Sequence, residues 1–122
     1  MTDVRATLAL AREQQAKADF RSAERSLLLA LEAATQLYSD PALVAETLQM
    51  LTAFYRQTHQ MDEAVAQAAW AAEILKGRLG VDHVALGPVY RTLAELHQAE
   101  GHLDEAQRYL ALAKAALGGG AK

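Results

Sequence analysis

Four histidines, His59, His83, His97 and His102, and two acidic pairs, Asp62-Glu63 and Asp104-Glu105, are the residues of this chain whose types could do chemistry. Imidazoles at helical spacing would ligate a metal ion, and paired carboxylates would act as general acid and base. Neither pattern is met. The histidines are scattered, with no His-x-x-x-His pair and no Glu at metalloprotease spacing. The chain has no Cys, so it offers no thiolate ligand, thiol nucleophile or disulfide framework. No Gly-rich loop leads to the Lys-Ser or Lys-Thr pair of a phosphate cradle. Every acidic residue has a helix-surface or capping role, so no enzyme is expected and no cofactor is called for. His97 is expected to pack, and His102, close to Asp104 and Glu105, to lie in a solvated turn.

The acidic pairs belong to two near-copies, "MDEA" at 61–64 and "LDEA" at 103–106. The copies extend well beyond four residues. The 42-residue offset also aligns Leu51 with Leu93, Phe54 with Leu96, Ala71 with Ala113 and Leu75 with Leu117. A third, more degenerate copy, "FRSAERSLLLALEAA" at 20–34, lies 41 residues upstream and pairs Leu10 with Leu51, Ala23 with Ala64 and Ala30 with Ala71. A period of this size means stacked repeats. Each copy divides into two helices. Val44, Leu48, Leu51 and Tyr55 form one helical face, and Ala64, Ala68, Ala71 and Leu75 form the next. The acidic pairs then fall in the first turn of a second helix, where negative charge suits the dipole.

Punctuation fits this division. Asp40 before Pro41 reads as an N-cap followed by a proline at the first helical position. Gly101 suits a left-handed C-cap between the halves of the third copy, and Gly80 with Asp82 breaks the chain ahead of it. Pro88 leaves two readings: a kink in a helix that begins near Asp82, or a helix that begins at Pro88 itself. Ala53, Ala64, Ala71 and Ala94 are small enough to let helix axes approach closely.

With 122 residues, 52% hydrophobic and 22% charged, the chain reads as one globular domain. A net charge of −3 and no Lys/Arg run argue against nucleic acid and against an anionic membrane surface. No segment nears the length of a membrane span, and the start "MTDVRATLALAREQQ" lacks a signal-peptide core, so a cytoplasmic address is expected.

These helix pairs, with an aromatic or Leu, then Leu, a small residue and Tyr in the first helix, then Gly, and "xDEA" and a later Ala in the second, resemble the tetratricopeptide repeat (TPR). The matching residues are Leu48, Leu51, Thr52, Tyr55, Ala64, Ala68 and Ala71 in the second copy. In the third they are Tyr90, Leu93, Ala94, His97, Gly101, Ala106, Leu110 and Ala113. The period of about 42 and the linking "RLGVDHVAL" are similar to the longer, kinesin-light-chain-like variant. His59 stands where that pattern has Gly, His97 where it has Tyr, and Thr7 and Gln14 where larger residues are usual. The resemblance implies an all-α, right-handed solenoid of six antiparallel helices within 1–122, with repeats at about 4–38, 42–79 and 84–117 and a flexible tail at 118–122.

The resemblance also implies that the first helices line a concave surface that holds a peptide or a partner protein. The residues that helical geometry places there are Arg5, Arg12 and Gln15; Glu46, Gln49, Arg56 and Gln57; and Arg91, Glu95 and Gln98. Guanidinium forks grip carboxylates, and Gln amides satisfy both donors and acceptors of an extended backbone. The bland alternative is a set of solvated positions on amphipathic helices. The carboxylate clamp of co-chaperone members is absent, since its Lys and Asn positions hold Leu8, Arg12, Met50, Pro88 and Thr92. The paired asparagines of the kinesin type are replaced by Gln49-Met50 and Arg91-Thr92.

A second surface is expected on the outer helices. Leu29, Trp70 and Leu112 each precede a packed alanine and face outward, and "LLLAL" at 27–31 is apolar almost all round. With "GGGAK" directly after the last helix, the stack is also expected to lack a polar capping helix. A homo-oligomer formed through this convex stripe or the open end is the second reading; the alternative is Trp70 folding back over Ala66 and Ile74.

Overall fold

The computed structural model describes residues 3–36, 41–80 and 83–118. Six α-helices run α1 Val4–Ala16, α2 Phe20–Thr35, α3 Pro41–Gln57, α4 Met61–Leu79, α5 Gly87–Ala99 and α6 Leu103–Gly118, with a short 3₁₀ turn at Val84–Leu86 before α5. No strand occurs among the described residues. Each helix packs on the next in sequence. In addition α3 meets α5 and α2 meets α4, so first helices line up along one side and second helices along the other, the layout of an α-solenoid.

Periodicity explains the core. Val44, Leu48, Leu51 and Tyr55 are buried, as are Ala64, Ala68, Ala71 and Leu75. Phe54 lies edge-on to Phe20 and to Tyr55, with centroids 6.2 Å and 5.3 Å apart. Ala64, Ala71 and Ala94 are packed as expected, but Ala53 is exposed. It lies open on the surface of α3, and an alanine carries no mark in sequence of which way it faces.

The first repeat departs further. Leu8 and Ala11 are its buried residues, whereas Leu10, aligned with the buried Leu51, is exposed. The reason is positional: in α3 that face is covered by the preceding α2, and no described helix precedes α1. Gln14, which takes the place of Tyr55, accepts a hydrogen bond at Oε1 from Ser26 Oγ at 2.7 Å.

One turn geometry joins both helices in all three repeats. Ala18, His59 and Gly101 have φ of 59°, 60° and 80°, and each is followed by an N–H that reaches back five residues: Asp19 to Gln14 O, Gln60 to Tyr55 O and His102 to His97 O. The companion bonds Ala18 to Gln15 O, His59 to Arg56 O and Gly101 to Gln98 O complete a Schellman motif each time. Gly101 is the left-handed cap its sequence position suggests. Ala18 and His59 take the same conformation with a Cβ present.

Pro88 falls in the first turn of α5, after the 3₁₀ segment, so the helix starts beside the proline instead of bending around it. Pro41 opens α3, and Gly80 closes α4 at φ 97°. Asp40, Asp82 and the tail residues 119–122 lie outside the described residues; Gly118, expected in the tail, belongs to α6. Asp62, Glu63, Asp104 and Glu105 occupy the first turns of α4 and α6.

Candidate functional site

Between α3 and α5 runs a cleft of about 230 Å³ lined by Gln49, Thr52, Ala53, Arg56, Thr92, Glu95 and Leu96. It exists because the two helices are first helices of successive repeats and pack side by side. Arg56 stands on one wall and Glu95 on the other, so a ligand in the cleft meets a cation and an anion across its width. Thr52 and Thr92 give their hydroxyl protons to Leu48 O and Pro88 O in their own helices, at 2.8 Å and 3.0 Å. Their methyl groups, with Ala53 and Leu96, leave the floor largely apolar.

Of the ten residues expected on the concave surface, Gln49, Arg56 and Glu95 are brought together in this cleft. Arg5 and Glu46 form a second group, an ion pair of 3.6 Å between α1 and α3, partly exposed and therefore weak. Arg12, Gln57, Arg91 and Gln98 are exposed on the first helices and line no part of the cleft, and Gln15 is half-buried. Arg12, Arg56 and Arg91 make no ion pair with any described residue. Arg56 also borders a second depression at the repeat turn, beside His59, Gln60, Asp62 and Glu100. Thr52, Ala53, Thr92 and Leu96 were not anticipated as lining residues; their register beside Gln49, Arg56 and Glu95 was the available signal.

On the outer side, Leu29 and Trp70 are exposed as expected. Leu112 is not: it is partly buried against the core and lines a cleft of about 300 Å³ between α4 and α6, with Glu73, Lys76, Tyr90, Arg108 and Tyr109. The cations of that cleft are engaged. Lys76 bonds Glu73 at 2.7 Å, and that hydrogen bond, with the carboxylate charge, raises its pKa. Arg108 bonds Glu105 at 3.3 Å and lies over the Tyr109 ring. "LLLAL" resolves into buried Leu27, Ala30 and Leu31, half-buried Leu28 and exposed Leu29.

The histidines do not converge on a metal-binding set. Among the described residues no group of three or more His, Cys, Asp or Glu side chains could hold a metal ion. His97 packs, stacking on Tyr109 with centroids 5.5 Å apart, and its Nδ1 lies 3.3 Å from Nδ1 of His102. His102 is exposed at the turn yet tied to its neighbour by that contact. No described helix is long and apolar enough to cross a membrane.

No family model matches the chain, and no curated protein matches it. A solved structure does: the crystal structure of BtubC (BKLC) from P. vanneervenii superposes with a TM-score of 0.72 at 24% identity, over 94% of this chain. The chain has a TPR-like fold. It spans 46% of the BtubC chain, and at that identity the likeness concerns the TPR-like architecture alone. TPR-like solenoids are typically not enzymes.

Proposed function

We propose that this chain is a protein-interaction module that holds an extended, acidic peptide segment of a partner protein along its first helices, centred on the cleft between α3 and α5. The observation that carries the reading is the lining of that cleft: Arg56 and Gln49 on one wall, Glu95 on the other and an apolar floor of Thr52, Ala53, Thr92 and Leu96 between them. Such a floor takes up small side chains, while the walls supply charged and amide contacts at intervals suited to an extended backbone. Arg12 and Arg91, without an ion-pair partner among the described residues, extend the positive character to either side. An acidic segment is favoured because three guanidiniums without an ion-pair partner among the described residues outnumber Glu95 along the first helices, Glu46 being engaged with Arg5. Arg5, Glu46, Gln15, Gln57 and Gln98 complete the proposed surface. In this reading the protein acts in the cytoplasm, is not an enzyme and binds no nucleic acid, in keeping with its net charge of −3.

The test is affinity capture from the native cell extract followed by replacement of Arg12, Arg56 and Arg91 by Glu. Loss of the captured partner with unchanged helicity supports the groove; retention of the partner removes it.

A second reading, self-association, is favoured by apolar side chains exposed on the second helices, Leu29 and Trp70 on the convex side and Leu103, Leu110 and Leu117 on α6.

A further inference from the structure

The three exposed leucines of α6 are spaced seven residues apart and therefore form one row along the helix. The 41- and 42-residue offsets between repeats identify their counterparts: Phe20, Leu27 and Ala34 in α2, and Met61, Ala68 and Leu75 in α4. Leu27, Ala34, Ala68 and Leu75 are at most 2% exposed, and Phe20 and Met61 pack partly buried against the core. Leu103, Leu110 and Leu117, by contrast, are 61%, 49% and 44% exposed. The difference lies in what comes next along the stack. Helix α3 lies against α2 and α5 lies against α4, while among the described residues α6 packs chiefly on α5 and the 3₁₀ turn. The row on α6 is thus the stacking face of the solenoid with no first helix laid on it. The face of α1 differs in kind. On α1 the positions equivalent to buried Thr47, Leu51 and Phe54 hold Ala6, Leu10 and Glu13, a mixed surface that offers the leucine row little apolar area.

We propose that this face is covered by α6 of a second copy of the chain, the two helices antiparallel about Leu110. A two-fold axis at Leu110 brings Leu103 of each copy level with Leu117 of its partner copy, so the row is complementary to itself. Charge fits the same arrangement. Asp104, one residue after Leu103, and Lys114, four after Leu110, lie on the same flank of the row, and neither makes an ion pair with a described residue of its own chain. In the antiparallel pair Lys114 of one copy lies within a turn of Asp104 of the other, at both ends of the interface. Antiparallel helix dipoles favour the same pairing. The proposal rests on the self-association reading and assigns it to one face, the leucine row of α6, instead of the convex side with Trp70.

Sedimentation equilibrium of the full chain, wild type beside Leu110→Glu and Trp70→Glu, tests it. The expected result is a wild-type dimer whose dissociation constant rises at least about 100-fold in Leu110→Glu, because each copy contributes a buried Leu110, with no change in Trp70→Glu. Both sites are exposed in the single chain, so circular dichroism is expected to show intact helix for each. A second pair of variants reads the geometry: Lys114→Asp and Asp104→Lys each weaken the dimer up to about fivefold, and the double variant restores it. A wild-type monomer at high concentration overturns self-association altogether. A dimer that survives Leu110→Glu but is lost in Trp70→Glu keeps self-association and overturns the α6 interface, as does a double charge swap without recovery.

Discussion

Tyr55 Oη donates a hydrogen bond of 2.7 Å to Glu24 Oε2, tying the first helix of the second repeat to the second helix of the first across 31 residues of sequence. The phenol ring is fully buried, and the bond gives its polar end a charged acceptor. Tyr55→Phe keeps the ring and removes the donor, leaving the Glu24 carboxylate without this bond. The expected cost is about 1.5 kcal/mol in a urea melt, with the circular dichroism spectrum unchanged.

The same contact sets a dependence on pH. Burial pushes the Tyr55 phenol above its ordinary pKa, and the hydrogen bond to Glu24 and its negative charge push it further. A group whose folded pKa is raised keeps its proton in the folded state, so its stabilisation is complete below the unfolded value near 10 and is lost as pH climbs beyond it. The protein is therefore expected to lose stability above about pH 10. Denaturant midpoints between pH 8 and 11 check this; a smaller slope in Tyr55→Phe is the expected signature, and an identical slope would assign the loss to other groups.

Ala18 and His59 hold the left-handed conformation that Gly101 holds in the third repeat. A Cβ is disfavoured there, so Ala18→Gly and His59→Gly are each expected to raise stability by about 0.5–1 kcal/mol, even though glycine costs more entropy to order. Gly101→Ala is expected to lower it by a similar amount. Thermal or urea melts of the three variants are sufficient, and a destabilised His59→Gly would mean that the imidazole makes a contribution beyond the turn.

Phe54 joins two repeats through Phe20 and Tyr55, and it is almost fully buried. Phe54→Ala should cost about 3–5 kcal/mol, enough to unfold a solenoid of this size at moderate temperature. Trp70→Ala, on the exposed convex side, should cost much less, and a comparison of the two by calorimetry separates core from surface.

The repeat itself was legible because Leu51, Ala64, Ala71 and Leu75 recur in register with Leu93, Ala106, Ala113 and Leu117, and because Gly101 and Pro88 sit where a helix must stop or start. The site was legible only in part. Helical periodicity placed Gln49, Arg56 and Glu95 on outward faces, but the cleft arises from α3 and α5 approaching each other, and the contribution of Thr52, Thr92 and Leu96 depends on that separation. Ala53 was misassigned since alanine suits both core and surface. The left-handed turns at Ala18 and His59 carry no signal in residue type, only in their register with Gly101, because the pair of Schellman hydrogen bonds imposes them against local preference. Leu112 follows the pattern of Leu29 and Trp70 in sequence, yet α6 turns it toward Tyr109.

If the groove reading is right, salt should weaken partner binding. Arg12, Arg56 and Arg91 are exposed and subject to screening, so raising ionic strength from about 0.05 M to 0.5 M should reduce affinity for the captured partner several-fold, chiefly through slower association. Isothermal titration at two salt concentrations measures it, and binding indifferent to salt would point to an apolar surface.

The most direct measurement is a titration of the isotopically labelled chain, followed by NMR, with an acidic segment of the captured partner. The groove account predicts shifts concentrated at Gln49, Thr52, Arg56, Thr92 and Glu95, and their loss in Arg56→Glu. Shifts concentrated at Leu29 and Trp70, with the cleft residues unmoved, would contradict it.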